Sequence, residues 1–118
     1  MKKVILVACF FAVCLNPAAF AEEEAAHFKV GVITSLSGDL ATGGNVTKRG
    51  YDLWADAVNE AGGIDIQGKK YPVKLIYGDA QSEPSQGASA AERLATQEKV
   101  DFVLGPYSSG VTLASAPV

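Results

Sequence analysis

Three apolar, β-branched runs alternate with three stretches of helical periodicity across residues 28–118, and this order restricts the fold more than any other property of the chain. Strand, helix, strand, helix, strand, helix predicts a parallel sheet joined by right-handed crossovers, with helices on both faces. The first strand reads from Phe28 to Ser35 and ends in a loop, Leu36 to Gly44. From Asn45 to Ala61, Val46, Leu53, Trp54, Ala57, Val58 and Ala61 recur at spacings of three and four, which predicts one buried helical face carrying Trp54 into the core. Gly62-Gly63 stops that helix.

Ile64 to Tyr71, with Gly68 before Lys69-Lys70, reads as a small hairpin-like excursion leading to the second main strand, Val73 to Tyr77. Pro84 then opens the second helix, with Ser82-Glu83 expected to place a capping side chain just outside it. Its narrow stripe is expected to be Ala88, Ala91, Leu94 and Ala95, and Lys99 to lie near its negative pole. Asp101 to Leu104 is the third strand, Gly105 to Gly110 the loop after it, and Val111 to Ala114 the start of a third helix. The fold class expected is α/β, a three-layer parallel sheet with helices on both faces. The last helix is barely entered by Val118, so the chain reads as a fragment.

Ahead of this pattern stands a leader. Met1-Lys2-Lys3 is basic, Val4 to Leu15 is apolar, and Ala19-Phe20-Ala21 offers small residues before Glu22-Glu23-Glu24. Residues 1–21 are therefore read as a cleaved export signal, too short in its apolar part to span a bilayer, and residues 22–118 as a protein of the periplasm. Leu6-Val7-Ala8-Cys9 has the form of a lipoprotein cleavage box, but its use would leave only Val4 to Ala8 as the apolar core. Glu22 to His27 reads as a mobile polar stretch.

Both cysteines, Cys9 and Cys14, fall in the leader, which excludes a disulfide framework or cysteine metal site from the mature chain. Removing the 21 leader residues from 118 leaves 97, with eight basic and thirteen acidic side chains. That balance argues against nucleic acid or an anionic membrane as partner, since both need a basic face.

Ligands of open parallel sheets bind beyond the carboxyl ends of the strands, where strand order reverses. With the first strand between the second and third, the loops flanking that point are Leu36 to Gly44 and Gly105 to Gly110. Each leads into a helix, so both direct free N–H groups and helix-dipole ends at one spot, able to hold a carboxylate. The candidate ligand-binding residues are Ser109, Ser108, Tyr107, Ser37 and Gly43. Ser109 reads either as a hydroxyl donor to the ligand or as a helix N-cap, and Ser108 more readily as a pure cap. Ser37 and Asp39 double as ordinary turn formers, as does Asp79 after the second strand, and Tyr107 as a half-buried aromatic.

Several chemistries fail on residues. Gly105 to Gly110 is not a nucleophile elbow, no Gly-x-Gly-x-x-Gly follows the first strand, and no Walker loop exists. His27, the only histidine, lies in the polar stretch, so no histidine triad or histidine-rich metal site is available, and no cofactor is expected. Asn45-Val46-Thr47 is read as a chance match to a glycosylation acceptor.

Lys29-Val30-Gly31-Val32 leading to Ser35-Leu36-Ser37-Gly38, Gly50 to Ala55, Val58-Asn59-Glu60-Ala61-Gly62-Gly63-Ile64, Tyr71-Pro72-Val73 and Val100 to Ser109 together resemble the leucine/isoleucine/valine-binding proteins of branched-chain amino acid transporters, which have a type I periplasmic-binding fold. The resemblance spans Phe28 to Val118. It implies an incomplete first lobe of a two-lobed trap without covalent chemistry. The trap would capture an amino acid or related small carboxylate and dock on the membrane permease of an ABC transporter. It also implies a serine from the third loop on the ligand carboxylate, here Ser109. An aromatic residue is usual in the first loop near position 43. Glycine there departs from the pattern and points away from branched-chain amino acids, toward a larger or differently shaped ligand. A ligand-sensing receptor lobe is the alternative, and an exported α/β enzyme is a weaker one because no nucleophile and base are visible. Binding energy in such a trap is shared between lobes, so residues 22–118 alone are expected to show no saturable amino acid binding in calorimetry, whereas a completed protein does.

Overall fold

The first strand is the middle of the sheet. In a computed structural model, which describes residues 26–118, β1 (Phe28–Thr34) pairs in parallel with β4 (Val73–Asp79) on one side and β5 (Phe102–Leu104) on the other. The register sets Phe28 opposite Val73 and Val30 opposite Phe102. The expected leader, residues 1–21, its two cysteines and the residues up to Ala25 lie outside the described part. Between the main elements come α1 (Ala41–Glu60), the antiparallel pair β2 (Ile64–Ile66) and β3 (Lys69–Tyr71), α2 (Pro84–Thr96) and, last, α3 (Ser109–Ser115). The α/β order, the parallel pairing, the central first strand and the hairpin excursion all stand as the sequence predicts.

Alternation along β1 divides the core into two layers. Val30 and Val32 face α1 and pack with Ala55 and Val73, flanked by Tyr51 and Val58. Ile33 faces the other way, into a cluster with Ala80 just after β4, Ala90, Ala91 and Leu94 from α2, and Val111 from α3. The stripe of α2 is thus Gly87, Ala90, Ala91 and Leu94. It is rotated from the expected one, with Ala95 exposed, because glycine and alanine let the helix approach the sheet and α3 together.

The face of α1 is also corrected. Its fully buried residues are only Gly44 and Ala55, while Leu53 is 72% exposed and Trp54 38% exposed. Trp54 lies at the rim of an open apolar hollow of about 800 Å³, shared with Phe28, Tyr51, Ile64, Phe102 and Leu104. The helix begins four residues before Asn45, so Gly43 and Gly44 belong to it rather than to the loop. Ser82 does not cap α2, whose N-cap is Glu83 without a side-chain bond. Nor does Lys99 belong to the last turn of α2, which carries Arg93 instead. Lys99 lies beyond the helix with φ of 51°.

Polar locks fasten α1 and α2 to β4. Asp52 accepts hydrogen bonds from Lys48 and from the Tyr77 hydroxyl, both at 2.7 Å, and the Lys48 ammonium lies 4.5 Å from the Tyr77 ring centre. The Lys48 bond, followed by that of Tyr77, holds the Asp52 carboxyl below its usual value, and burial together with Asp52 pushes the Tyr77 phenol up. At the outer edge of β4, the Asn59 amide donates to the Val73 carbonyl at 3.0 Å and accepts its N–H at 2.7 Å. From the opposite face Arg93 donates to the Tyr77 carbonyl at 3.1 Å. On the outward side of β4, side chains thus occupy the Val73 N–H and carbonyl and the Tyr77 carbonyl, whereas β5, with Phe102 58% exposed, borders the apolar hollow.

Candidate functional site

The carboxyl ends of β1 and β5 lie side by side because the two strands are parallel neighbours. The turn after β1 shortens to Leu36–Leu40 and is fastened from the β4 side. Asp79 accepts the N–H of Leu36 at 2.8 Å, the N–H of Ser37 at 3.3 Å, the Ser37 hydroxyl at 2.7 Å and the N–H of Gln81 at 2.8 Å. Ser82 donates to the Ser37 carbonyl at 2.8 Å and accepts the Leu40 N–H at 3.0 Å. From inside α1, Asn45 donates to the carbonyls of Leu36 and Ala41 at 3.2 and 2.8 Å. Bonds from three elements leave this loop little freedom before any ligand arrives.

Gly44 lets the start of α1 come down on the end of β1. A Cβ there would overlap the Ser35 carbonyl oxygen, and the Thr34 hydroxyl donates to the Gly44 carbonyl at 3.1 Å. One residue earlier, Gly43 meets the other loop: a Cβ there would overlap the Tyr107 phenol. The N–H groups of Thr42 and Gly43 have no backbone partner among the described residues, as the first turn of a helix dictates.

The second loop turns at Gly105, whose φ is 89° and whose missing side chain lets it lie against the Ile33 carbonyl. Ser108 is the N-cap of α3, its hydroxyl accepting the Val111 N–H at 3.3 Å. Ser109 is therefore the first helical residue and not the cap. It is exposed, and its hydroxyl has no hydrogen-bond partner among the described residues. Of the five candidates, Gly43 and Tyr107 touch and Ser108 and Ser109 follow directly. Ser37 sits on the opposite flank of the first loop, bonded to Asp79 and Ser82. Among the described residues, no group of three or more His, Cys, Asp or Glu could hold a metal, and no helix is long and apolar enough to cross a membrane.

Asp79 and Ser82 escaped the sequence reading in this role. Asp79 was legible as a turn former, and its bond to the Gln81 N–H is that turn, but its grip on Leu36 and Ser37 crosses more than forty residues and leaves no local trace. Burial acts to raise the Asp79 carboxyl, yet the bonds from Gln81, Ser37 and Leu36 outweigh it and hold the group below its ordinary value of 3.8. The folded pKa lies below the unfolded one, so this stabilisation is complete above the unfolded value and is lost as pH falls through the folded one. Asp79→Asn is therefore expected to flatten the decline of the urea midpoint between pH 5 and pH 2 (roughly the range over which a paired carboxylate is protonated). Parallel curves for the two proteins would refute the assignment.

Residues 27–118 match the family model for periplasmic binding proteins. The Leu/Ile/Val-binding protein homolog 3 of Brucella melitensis is 35% identical over 99 residues, covering 84% of this chain and 26% of that relative. The isoleucine complex of the branched-chain amino acid transporter substrate binding protein LivJ from Streptococcus pneumoniae superposes with a TM-score of 0.72 at 37% identity, covering 78% of this chain and 25% of that one. The 4-hydroxybenzoate complex of an R. palustris ABC-transporter solute binding protein gives a TM-score of 0.61 at 33% identity over 78% and 24%. The chain thus spans about a quarter of the length of the relatives it matches. With the parallel β4-β1-β5 sheet, its two adjoining loops and a family match that covers nearly every described residue, the chain belongs to the periplasmic binding protein family.

Proposed function

We propose that residues 22–118 form the beginning of the first lobe of an extracytoplasmic solute-binding component of an ABC importer. It captures an amino acid or related small carboxylate without catalysis and passes it to a membrane permease. The leader 1–21 would deliver it to the periplasm. The observation that carries this reading is the packing of Tyr107 against Gly43, which brings the loops after β1 and β5 to one point. Beside it stand unpaired N–H groups at Thr42 and Gly43 and the uncommitted Ser109 hydroxyl, donors suited to a carboxylate and preset in direction.

Within this reading Ser109 donates to the ligand carboxylate, Ser108 fixes the start of α3, and Tyr107 forms a wall over the space Gly43 leaves. Ser37, whose hydroxyl proton goes to Asp79, contributes the shape of its loop more than a proton. The relatives' longer chains support a second lobe as the source of the remaining contacts.

Calorimetry on the full-length protein with L-isoleucine, L-leucine, benzoate and 4-hydroxybenzoate tests the proposal. One of these is expected to bind saturably, and Ser109→Ala to weaken it by about 1.5–3 kcal/mol, the usual worth of a hydrogen bond to a charged group, while leaving the urea midpoint in place. Ser108→Ala should do the reverse, costing about 1 kcal/mol of stability through the lost cap. Unaltered affinity in Ser109→Ala would remove the serine from the site.

A further inference from the structure

Tyr107 is the one candidate whose position depends on another candidate. A Cβ on Gly43 would overlap the Tyr107 phenol oxygen and lie 3.0 Å from its Cε1. The ring therefore occupies the volume that a side chain at position 43 would fill. Tyr107 is 45% exposed, and its hydroxyl has no hydrogen-bond partner among the described residues. The ring thus closes the space beside Gly43 from the loop after β5, and its hydroxyl stays open to solvent or to a ligand.

Resting on the carboxylate-capture reading above, we propose that Gly43 and Tyr107 act as one specificity element. In this element Tyr107 is the wall that sorts ligands by carbon skeleton, and Gly43 is a positioning residue acting through it. The favoured class is a flat aromatic carboxylate bearing a ring hydroxyl. A planar ring packs offset or edge-on against tyrosine better than a branched aliphatic chain does. The phenol oxygen decides the rest. When a ligand covers it, a branched aliphatic group leaves it unpaired, and a site built around such a polar atom discriminates strongly against ligands that cannot pair with it. A ring hydroxyl restores the bond.

The test uses the full-length protein with 4-hydroxybenzoate, benzoate and L-isoleucine as calorimetric probes, in the wild type, Tyr107→Phe and Gly43→Ala. The wild type is expected to bind 4-hydroxybenzoate about tenfold or more tighter than L-isoleucine, in keeping with the loss expected for an unpaired polar group. Tyr107→Phe should bring 4-hydroxybenzoate and benzoate to near-equal affinity. Gly43→Ala should lower 4-hydroxybenzoate affinity by a similar factor, and a crystal structure of that variant should show the ring swung away from residue 43. Because the displaced atoms are the tip of a half-exposed side chain, the fold should survive the alanine. Preference of the wild type for L-isoleucine, or unchanged probe ratios in both variants with binding intact, overturns the specificity element alone. Failure of the wild type to bind any probe overturns the capture reading and this inference with it.

Discussion

Leu94→Ala is expected to lower the unfolding free energy by about 3–5 kcal/mol, the upper part of the range for leucine truncation in a core. Leu94 is 0% exposed and fills the space above two strand glycines. A Cβ on Gly31 would lie 3.1 Å from its Cδ1, and one on Gly78 3.4 Å from the same atom. Truncation therefore opens a void whose floor is backbone of β1 and β4, which cannot fold inward to fill it. That rigidity places the cost above the average, since the penalty grows with the cavity left behind. Leu94→Met, which keeps the volume, should cost less than about 1.5 kcal/mol. Urea midpoints of the three proteins provide the check, and a loss below about 1 kcal/mol for alanine, the cost of a mild shape change, would mean that the helix settles onto the sheet.

The second large effect reverses the usual sign of a substitution. Glycine to alanine inside a helix normally stabilises by up to about 1 kcal/mol, and Gly50→Ala should do so, because nothing lies within 4 Å of the added carbon. Gly44→Ala is expected to destabilise by about 1–3 kcal/mol, the range for overpacking, although the two residues share one helix. There the added carbon runs into the Ser35 carbonyl, which is backbone at the end of β1 and cannot rotate aside. The whole first turn of α1 would have to lift, loosening the Thr34 bond to Gly44 and the loop that Asn45 holds. Equal gains from both alanines in urea unfolding would show that α1 does not depend on this approach.

The layered architecture was legible because the strand runs are apolar and rich in β-branched residues, a glycine pair follows α1 and Pro84 opens α2. Gly62 and Gly63, at φ of 95° and 99°, end α1 where expected. The faces of the helices were less legible. Apolar periodicity in α1 pointed to Leu53 and Trp54 along with Val58, but the surface that meets the sheet is Ala55 with Tyr51 and Val58 beside it, so only Val58 of those three packs on the core. Periodicity shows where apolar groups recur, not how much sheet is there to receive them. The candidate site was half readable. The caps and glycines of its loops are local features, so Ser108 as cap followed from its place before a helix. The Asp79 and Ser82 fastenings and the seat of Tyr107 on Gly43 join residues more than forty positions apart, and only the packed fold brings them together.

Among the described residues, helix side chains reach one margin of the sheet and not the other. Asn59 and Arg93 reach the flank of β4 from opposite layers, while no such pair attends β5 among the described residues. A further strand therefore meets freer backbone beside β5 than beside β4, so the sheet of the described residues is set to grow in one direction, away from the Asn59 and Arg93 contacts.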